Sequence, residues 1–165
     1  MVGVDLGDAR QSWSAVRHAL TWAGALGAAE AAIGKAIELG VSIAVVVLDR
    51  GLHPVVVVRM DGVSPLTAAA AEKKARSAAS SGASTRDALA YLKADEDLYR
   101  AILSTGDVFL VEGGEPLAVA GETVGAVGVS GARHSIDAEI AAAAAATFHA
   151  RPSASAPPAA PTGGA

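Results

Sequence analysis

The apolar residues of the chain follow two different periods, one typical of helices and one typical of strands. Between Thr21, a common helix N-cap, and Gly40, a common helix stop, apolar residues recur at helical spacing. They are Trp22, Leu26, Ala29, Ile33 and Ile37. This spacing predicts one amphipathic helix with these residues on its buried face.

The next stretch has the pattern of a β-hairpin. Residues 42–48, SIAVVVL, are a continuous run rich in β-branched side chains, which is typical of a strand buried on both faces. Residues 49–52 form a turn, and Pro54 stands at the start of a second apolar run that ends at Arg59. We therefore expect two antiparallel strands joined by a short turn.

Four further helical regions are predicted downstream of the hairpin. Ser64–Pro65 is a typical start for a helix that Gly82 ends, and Thr85 is the expected cap of a shorter helix. The polar stretch 93–106 contains one or two additional helical turns. Ser135 is the expected cap of a last helix, which runs to about His149.

Glycines divide residues 109–131, FLVEGGEPLAVAGETVGAVGVSG, into two or three short strands. In the last of them Ala126, Gly128 and Ser130 share one face, which is almost free of side-chain bulk. Glycine inside a strand usually marks a close approach by another backbone or by a ligand. Two interpretations stay open: a helix packs tightly against this face, or a flat ligand lies on it.

The order of elements predicts an α+β domain in which helices pack against a five-stranded antiparallel sheet. We expect an N-terminal lead-in over residues 1–20, one domain over residues 21–149 and a tail over residues 150–165. The tail consists mostly of Pro, Ala, Ser and Gly, a composition typical of disorder.

Composition excludes several classes of function. Among 165 residues only 4% are aromatic and the net charge is −4, so we expect no nucleic-acid binding. The absence of cysteine excludes disulfides and a thiolate nucleophile. No apolar run has membrane-spanning length, and we expect a cytoplasmic protein. A charged fraction of 18% is low for the surface of a monomer and favours a homo-oligomer.

A few polar residues stand where loops and helix ends commonly carry chemistry. His53 follows Asp49 by four residues in the hairpin turn, and Arg59 ends the second strand. Lys74 lies among alanines on the second long helix. His134 precedes a helix N-terminus, where an anion would be favoured. His18 and His149 lie in peripheral segments, and no histidine pair has the spacing of a zinc hydrolase.

Four sequence blocks, in order, carry a resemblance to a known family. They are LG followed by AVVVLDRGLHPVVVVRMDG (44–62), KARSAA (74–79), GGEPLAVAGETVGAVGVSGA (113–132), and Asp137 followed by Ile140–Ala141. Together they resemble the GlcG/HbpS-like family of haem-binding and haem-degrading domains. The same domain is found at the C-terminus of PduO-type corrinoid adenosyltransferases. The resemblance covers roughly residues 21–148.

The resemblance implies a profilin-like fold with a five-stranded antiparallel sheet, spatial order 2-1-5-4-3, and helices on both faces. It implies a dimer or a larger ring. It implies site residues at Asp49, His53, Arg59, Asp61, Lys74, Gly114 and Ser130. The chain departs from the family at Ser77, where threonine is usual, and at Ser80–Ser81, which replace an aromatic side chain. Losing the aromatic removes a natural stacking wall for a porphyrin.

Three functions remain open at this point. The first is haem or tetrapyrrole binding, with His53 as the axial metal ligand and Arg59 and Lys74 as cations for the propionates, near Asp49, Gly114, Ser130 and His134. Haem degradation would follow from that binding. The second is a cofactor-free enzyme acting on a carboxylate metabolite, with Lys74 or His53 as acid or base and Arg59 as clamp. The third is a non-catalytic oligomeric accessory protein of bacterial type.

Overall fold

The computed structural model describes residues 17–151, which contain five helices and four strands. In chain order they are α1 (Trp22–Glu38), β1 (Ala44–Asp49), β2 (Pro54–Arg59), α2 (Pro65–Ser81), α3 (Thr85–Lys93), α4 (Glu96–Ser104), β3 (Gly114–Val119), β4 (Glu122–Ser130) and α5 (His134–His149). The expectations for residues 1–16 and 152–165, including the disordered tail, lie outside the described residues.

The strands form one antiparallel sheet in the order β2-β1-β4-β3. Central β1 is buried along nearly its whole length, as its continuous apolar run predicts. It pairs with both β2 and β4, so Ala44 stands opposite both Arg59 and Ser130. The α+β class, the hairpin and the central place of β1 beside β4 are confirmed.

The prediction of five strands in the order 2-1-5-4-3 is wrong for the described residues, because the fifth strand is absent. The missing strand is Phe109–Val111, which precedes β3 and stays a loop. The Phe109 N–H donates to the Ser77 hydroxyl at 2.8 Å instead of to a neighbouring strand. Leu110 is buried against Ala88 and Leu92 of α3. Tertiary contacts with α2 and α3 thus replace the sheet ladder.

One face of the sheet packs against α1 and α5 over a core made mostly of alanine and valine. The helices contribute Ala25, Ala28, Ala29, Ala32, Ala36, Ala141, Ala144 and Ala145. The sheet contributes Val45, Val47, Val127 and Val129, among others. Since alanine projects only one methyl group, α1 and α5 approach each other and the sheet closely.

The other face of the sheet is covered by α2, which lies over β1, β3 and β4. Gly128 is the contact point, because a Cβ there would collide with the carbonyl oxygen of Ala71 and come within 2.6 Å of the Ala75 nitrogen. The low-bulk face of β4 therefore accommodates a closely packed helix. This arrangement matches the first of the two interpretations.

The buried face of α1 differs from the predicted one. Helix bounds and the Thr21 cap are confirmed, with the Thr21 hydroxyl accepting a hydrogen bond from the Gly24 N–H. Trp22 and Ile37, however, are among the most exposed apolar side chains, and Trp22 is 72% exposed. The close packing of the sheet selects the alanine face, because the larger side chains do not fit beneath the helix.

Two other helix starts also differ from expectation. Ser84, rather than Thr85, caps α3, and its hydroxyl accepts from the Asp87 N–H. Thr85 is fully buried, and its hydroxyl instead accepts a hydrogen bond from the Gly114 N–H at the start of β3. Helix α5 begins at His134, so Ser135 lies inside it, and its N-cap residue Arg133 makes no side-chain capping bond.

We predict opposite effects for the same chemical change at two glycines. Gly128→Ala should destabilise the fold by at least about 1–3 kcal/mol, because the added methyl group overpacks the α2–β4 contact. Gly34→Ala should stabilise it by about 0.5–1 kcal/mol, because that helical position is exposed and has open space around it. Urea denaturation measures both, and equal effects would contradict the packing described here.

Candidate functional site

The predicted site residues lie at opposite ends of the sheet. The β1–β2 turn holds Asp49 and His53 at one end. Arg59 and Ser130 lie at the other end, where both are in register with Ala44. His53 and Arg59 are six positions apart, which at about 3.3 Å per strand residue corresponds to about 20 Å. Within residues 17–151 the predicted site residues therefore form two separate groups, the first and the second candidate half-site.

The first half-site is the Asp49–His53 pair in the β1–β2 turn. The backbone N–H of His53 donates to Asp49 Oδ1 at 2.9 Å, and the imidazole Nδ1 lies 3.5 Å from the same oxygen. The His53 side chain is 80% exposed. Because Nδ1 faces the carboxylate, Nε2 is the nitrogen that an incoming ligand would meet. A carboxylate beside one ring nitrogen orients the ring.

The second half-site surrounds the ends of β2 and β4. Arg59 Nη1 donates to the Val63 carbonyl oxygen at 2.7 Å, which folds the arginine against the turn that contains Asp61. Both Arg59 and Asp61 are exposed, and Ser130 is half-buried. His134 is exposed at the first position of α5. This end of the sheet thus offers a cation and a histidine beside a helix N-terminus.

Lys74 lies beside the end of β4 that carries Ser130 but does not reach the surface. Its side chain is 2% exposed, and its ammonium donates to Asp137 Oδ2 at 2.7 Å and to the Val129 carbonyl oxygen at 2.8 Å. Asp137 Oδ1 accepts from the Ala132 N–H. The pair therefore joins α2, the end of β4 and the first turn of α5 into one buried network.

Gly114 and its neighbour Gly113 fit around this network. A Cβ on Gly114 would collide with the Lys74 carbonyl oxygen, so the residue allows α2 to lie close to β3. Its N–H donates to the Thr85 hydroxyl at 3.1 Å. Gly113 has φ +116°, a backbone conformation that favours glycine, and lies against Lys74 Nζ and Asp137. Both glycines thus serve the packing around the ion pair.

Sequence reasoning missed the partner of Lys74. Asp137 stands in the fourth block of the family resemblance, but sequence reasoning assigned it no partner. The available signal was the alanine-rich surroundings of Lys74, since a lysine placed among small apolar residues requires a buried anion.

A charged cluster borders the second half-site at the loop before β3. The Arg86 guanidinium, 3.1 Å from Glu112, lowers the pKa of that carboxyl, and His134 adds a smaller effect in the same direction. Burial raises the pKa of Glu115, with Asp87 nearby acting in the same direction. The two glutamates therefore respond to pH in opposite ways.

Within residues 17–151, no group of three or more His, Asp or Glu side chains is placed to hold a metal ion. That part of the chain thus provides no cluster of side chains for a bare metal ion. The helices between those residues include none with the length and apolarity needed to cross a membrane.

A family model described as haem-degrading protein HbpS-like matches residues 20–146. The chain belongs to the HbpS-like family. Protein GlcG of Escherichia coli strain K12 is 36% identical over 89 residues, which are 54% of this chain and 64% of GlcG. The match thus spans less than two thirds of the curated relative's length.

Solved structures agree with this membership. The crystal structure of Klebsiella pneumoniae protein ORFY superposes with a TM-score of 0.79 at 29% identity, covering 86% of this chain and 99% of that one. A crystal structure of a PduOC:haem complex gives a TM-score of 0.70 at 27% identity, covering 79% of this chain and 95% of that one. The HbpS-like fold thus accounts for nearly all of the described residues.

Breaking the buried ion pair on one side should be strongly destabilising. We expect Lys74→Met to lower the free energy of unfolding by about 3–5 kcal/mol, because it leaves the Asp137 carboxylate buried without its cation. Lys74→Met combined with Asp137→Leu should recover much of that loss. The control is Arg100→Met, which breaks the exposed Arg100–Glu96 pair and should change stability by about 1 kcal/mol or less. Urea denaturation that gave equal losses for both single variants would contradict the structural role of Lys74.

The two glutamates before and within β3 should give pH effects of opposite sign. Glu115 has a raised pKa in the folded state, so its ionisation destabilises the fold as pH rises, and Glu115→Gln should raise Tm at pH 7. Glu112 has a lowered pKa, so its ionised form stabilises the fold, and Glu112→Gln should lower Tm at pH 7. Both differences should shrink as pH falls towards about 4 and below, where unfolded-chain glutamates are protonated. Thermal melts across this range measure them, and differences that stay constant with pH would refute the assignment.

Proposed function

We propose that the protein binds haem or a related tetrapyrrole, with His53 as the axial ligand. The observation that carries the proposal is the exposed imidazole of His53, whose Nδ1 side is held by Asp49. Membership of the HbpS-like family supports it, as does the likeness to PduOC, which has been crystallised with haem.

Several exposed residues of the chain are suited to bind the iron and the propionates of haem. Haem, when bound, supplies an iron centre that takes an imidazole as axial ligand. His53 Nε2 would meet that iron, and Asp49 would fix the orientation of the ring. Arg59 is exposed and would contact a propionate through the guanidinium nitrogens that do not bind Val63. His134 and Ser130 border the same end of the sheet as Arg59.

Lys74 has a supporting part in this proposal instead of a contact with the ligand. Its ammonium is buried and already bonded to Asp137 and to Val129. Reaching a propionate would require breaking that pair and leaving a buried carboxylate unpaired, at a cost of about 3–5 kcal/mol. Its burial also weakens the alternative of a cofactor-free enzyme, for which Lys74 was a candidate acid or base.

A homo-oligomer is the second part of the proposal. Large apolar side chains are exposed on several elements of the described chain, and only 18% of all residues are charged. They include Trp22, Ile37, Val57, Leu66 and Tyr91. Covering such side chains in an assembly removes apolar surface from water, which favours association.

Haemin titration of the purified protein tests the proposal. We expect a saturable Soret band with the wild type and at least tenfold weaker binding with His53→Ala, because the iron loses its axial imidazole. A slow loss of the band when both a reductant and dioxygen are present, but not with the reductant alone, would indicate that bound haem is also degraded, since opening the ring needs an oxidant.

His18→Ala and His134→Ala are the matched controls, since each removes another exposed histidine. A band that persists in His53→Ala and disappears in one control would refute the axial assignment and leave haem binding standing. A wild type that gives no saturable band would refute haem binding itself.

A further inference from the structure

The two edge strands of the sheet, β3 and β2, differ in whether their outward-facing backbone groups have hydrogen-bond partners. On the outer edge of β3, the Gly114 N–H donates to the Thr85 hydroxyl, and the Ala118 N–H donates to His149 Nε2. Between them stands Pro116, which has no N–H. Side chains of α3 and α5 thus satisfy this edge and block another strand from pairing with it.

The outer edge of β2 has no comparable cover within residues 17–151. The Met60 N–H donates to the Ile43 carbonyl oxygen on the β1 side. Because backbone groups alternate in direction along an antiparallel strand, the N–H and C=O groups of Val57 and Arg59 point away from β1. No group of the described residues bonds to them, so a short row of pairing groups is available for another strand.

The same strand also exposes apolar side chains. Val57 is 55% exposed, and Val55 is exposed beside it, because α2 lies over β1, β3 and β4. The features that discourage strand pairing, Pro54 with its adjacent bulge and the charge of Arg59, lie at the two ends of β2. Its middle, residues 56–58, is all valine and carries no such feature.

We propose that β2 pairs antiparallel with β2 of a second copy of this chain, with Val57 of each copy opposite the other at the two-fold axis. A two-fold axis presents the same patch on both copies, and an all-valine strand centre is complementary to itself. The pairing joins two four-stranded sheets into one continuous sheet across the dimer. It rests on the proposed homo-oligomer and assigns its interface.

The side chains that this register places opposite each other support it. With Val57 at the axis, position 53 of one copy stands opposite position 61 of the other, which brings the His53 turn of one copy beside Asp61 of the other without opposing two carboxylates. Val55 stands opposite Arg59, which avoids placing two like charges together. A register shifted by two residues loses the His53–Asp61 match.

The same pairing unites the two half-sites. Within one chain His53 and Arg59 are about 20 Å apart along β2. Antiparallel pairing carries the β1–β2 turn of one copy, with Asp49 and His53, to the end of β2 in the other copy, with Arg59 and Asp61. Each dimer thereby contains two complete sites, and each site takes its histidine and its arginine from different copies.

Sedimentation of the full chain without haem tests the interface directly. The wild type should sediment as a dimer or larger assembly at micromolar concentration, and Val57→Lys should weaken association at least tenfold by placing two like charges opposite each other at the axis. Val111→Lys is the matched control, because Val111 is similarly exposed, at 42%, but lies in the loop before β3. Circular dichroism of both variants is the control for correct folding. A monomeric wild type, or equal behaviour of the two variants, would overturn the proposal.

Cross-linking gives a second measurement that does not depend on destabilising the dimer. The chain has no cysteine, so Val57→Cys introduces a single thiol. Residues directly opposite in an antiparallel pair have Cα atoms about 4.5–5.5 Å apart, within the range of a disulfide. Mild oxidation should convert Val57→Cys to a covalent dimer much faster than Val111→Cys. Equal rates would overturn the register. Association that survives Val57→Lys but is lost on deleting residues 1–16 would assign the assembly to that segment instead.

Mixing two inactive variants tests the shared site. His53→Ala and Arg59→Ala should each bind haemin weakly, but random re-association should restore about a quarter of the sites, because half of the dimers contain both chains and each of these has one intact site. Sites built within one chain would recover nothing. A wild type that fails to bind haemin would refute the proposed function alone, since sedimentation and cross-linking still measure the interface.

Discussion

The backbone-to-backbone approach of α2 to β4 is the constraint on which the rest of the structure depends. The absence of a side chain at Gly128 allows the helix to lie directly on the strand, and Gly114 allows the same approach at β3. Because α2 lies so close to the sheet, the Lys74 ammonium reaches the end of β4 and Asp137 of α5. A helix held a few ångströms higher would leave Asp137 buried without a cation.

The Lys74–Asp137 pair fixes the position of the turn between β4 and α5 relative to α2. One ammonium and one carboxylate together bond to the end of β4, to the turn after it and to each other. The turn leads directly into His134 and α5, so its conformation determines where the second half-site faces. Lys74 thus acts through the elements that it holds together, which distinguishes it from the exposed Arg59.

Local sequence signals predicted the elements whose contacts are local. The valine run of β1, the Thr21 and Ser64 caps and the hairpin turn all depend on neighbours in the chain, and the structure has each of them. The missing strand at Phe109–Val111 and the buried role of Thr85 depend instead on partners 29 to 32 residues away. Likewise, Lys74 and Asp137 are 63 residues apart, and no spacing rule joins them. The separation of His53 from Arg59 needed the length of β2, which sequence reasoning about individual residues did not use.

The alanine layer between α1, α5 and the sheet limits how this core can change. In most cores a large side chain can be exchanged for a smaller one while a neighbour grows to fill the space, and sequences drift in this way without loss of the fold. An interface built from Ala25, Ala29, Ala141 and Ala144 has little left to remove, because each side chain is a single methyl group. Its helices therefore have almost no freedom to repack, and the variation that the fold tolerates is directed outward, to exposed side chains away from the β2 edge, such as Glu30 of α1.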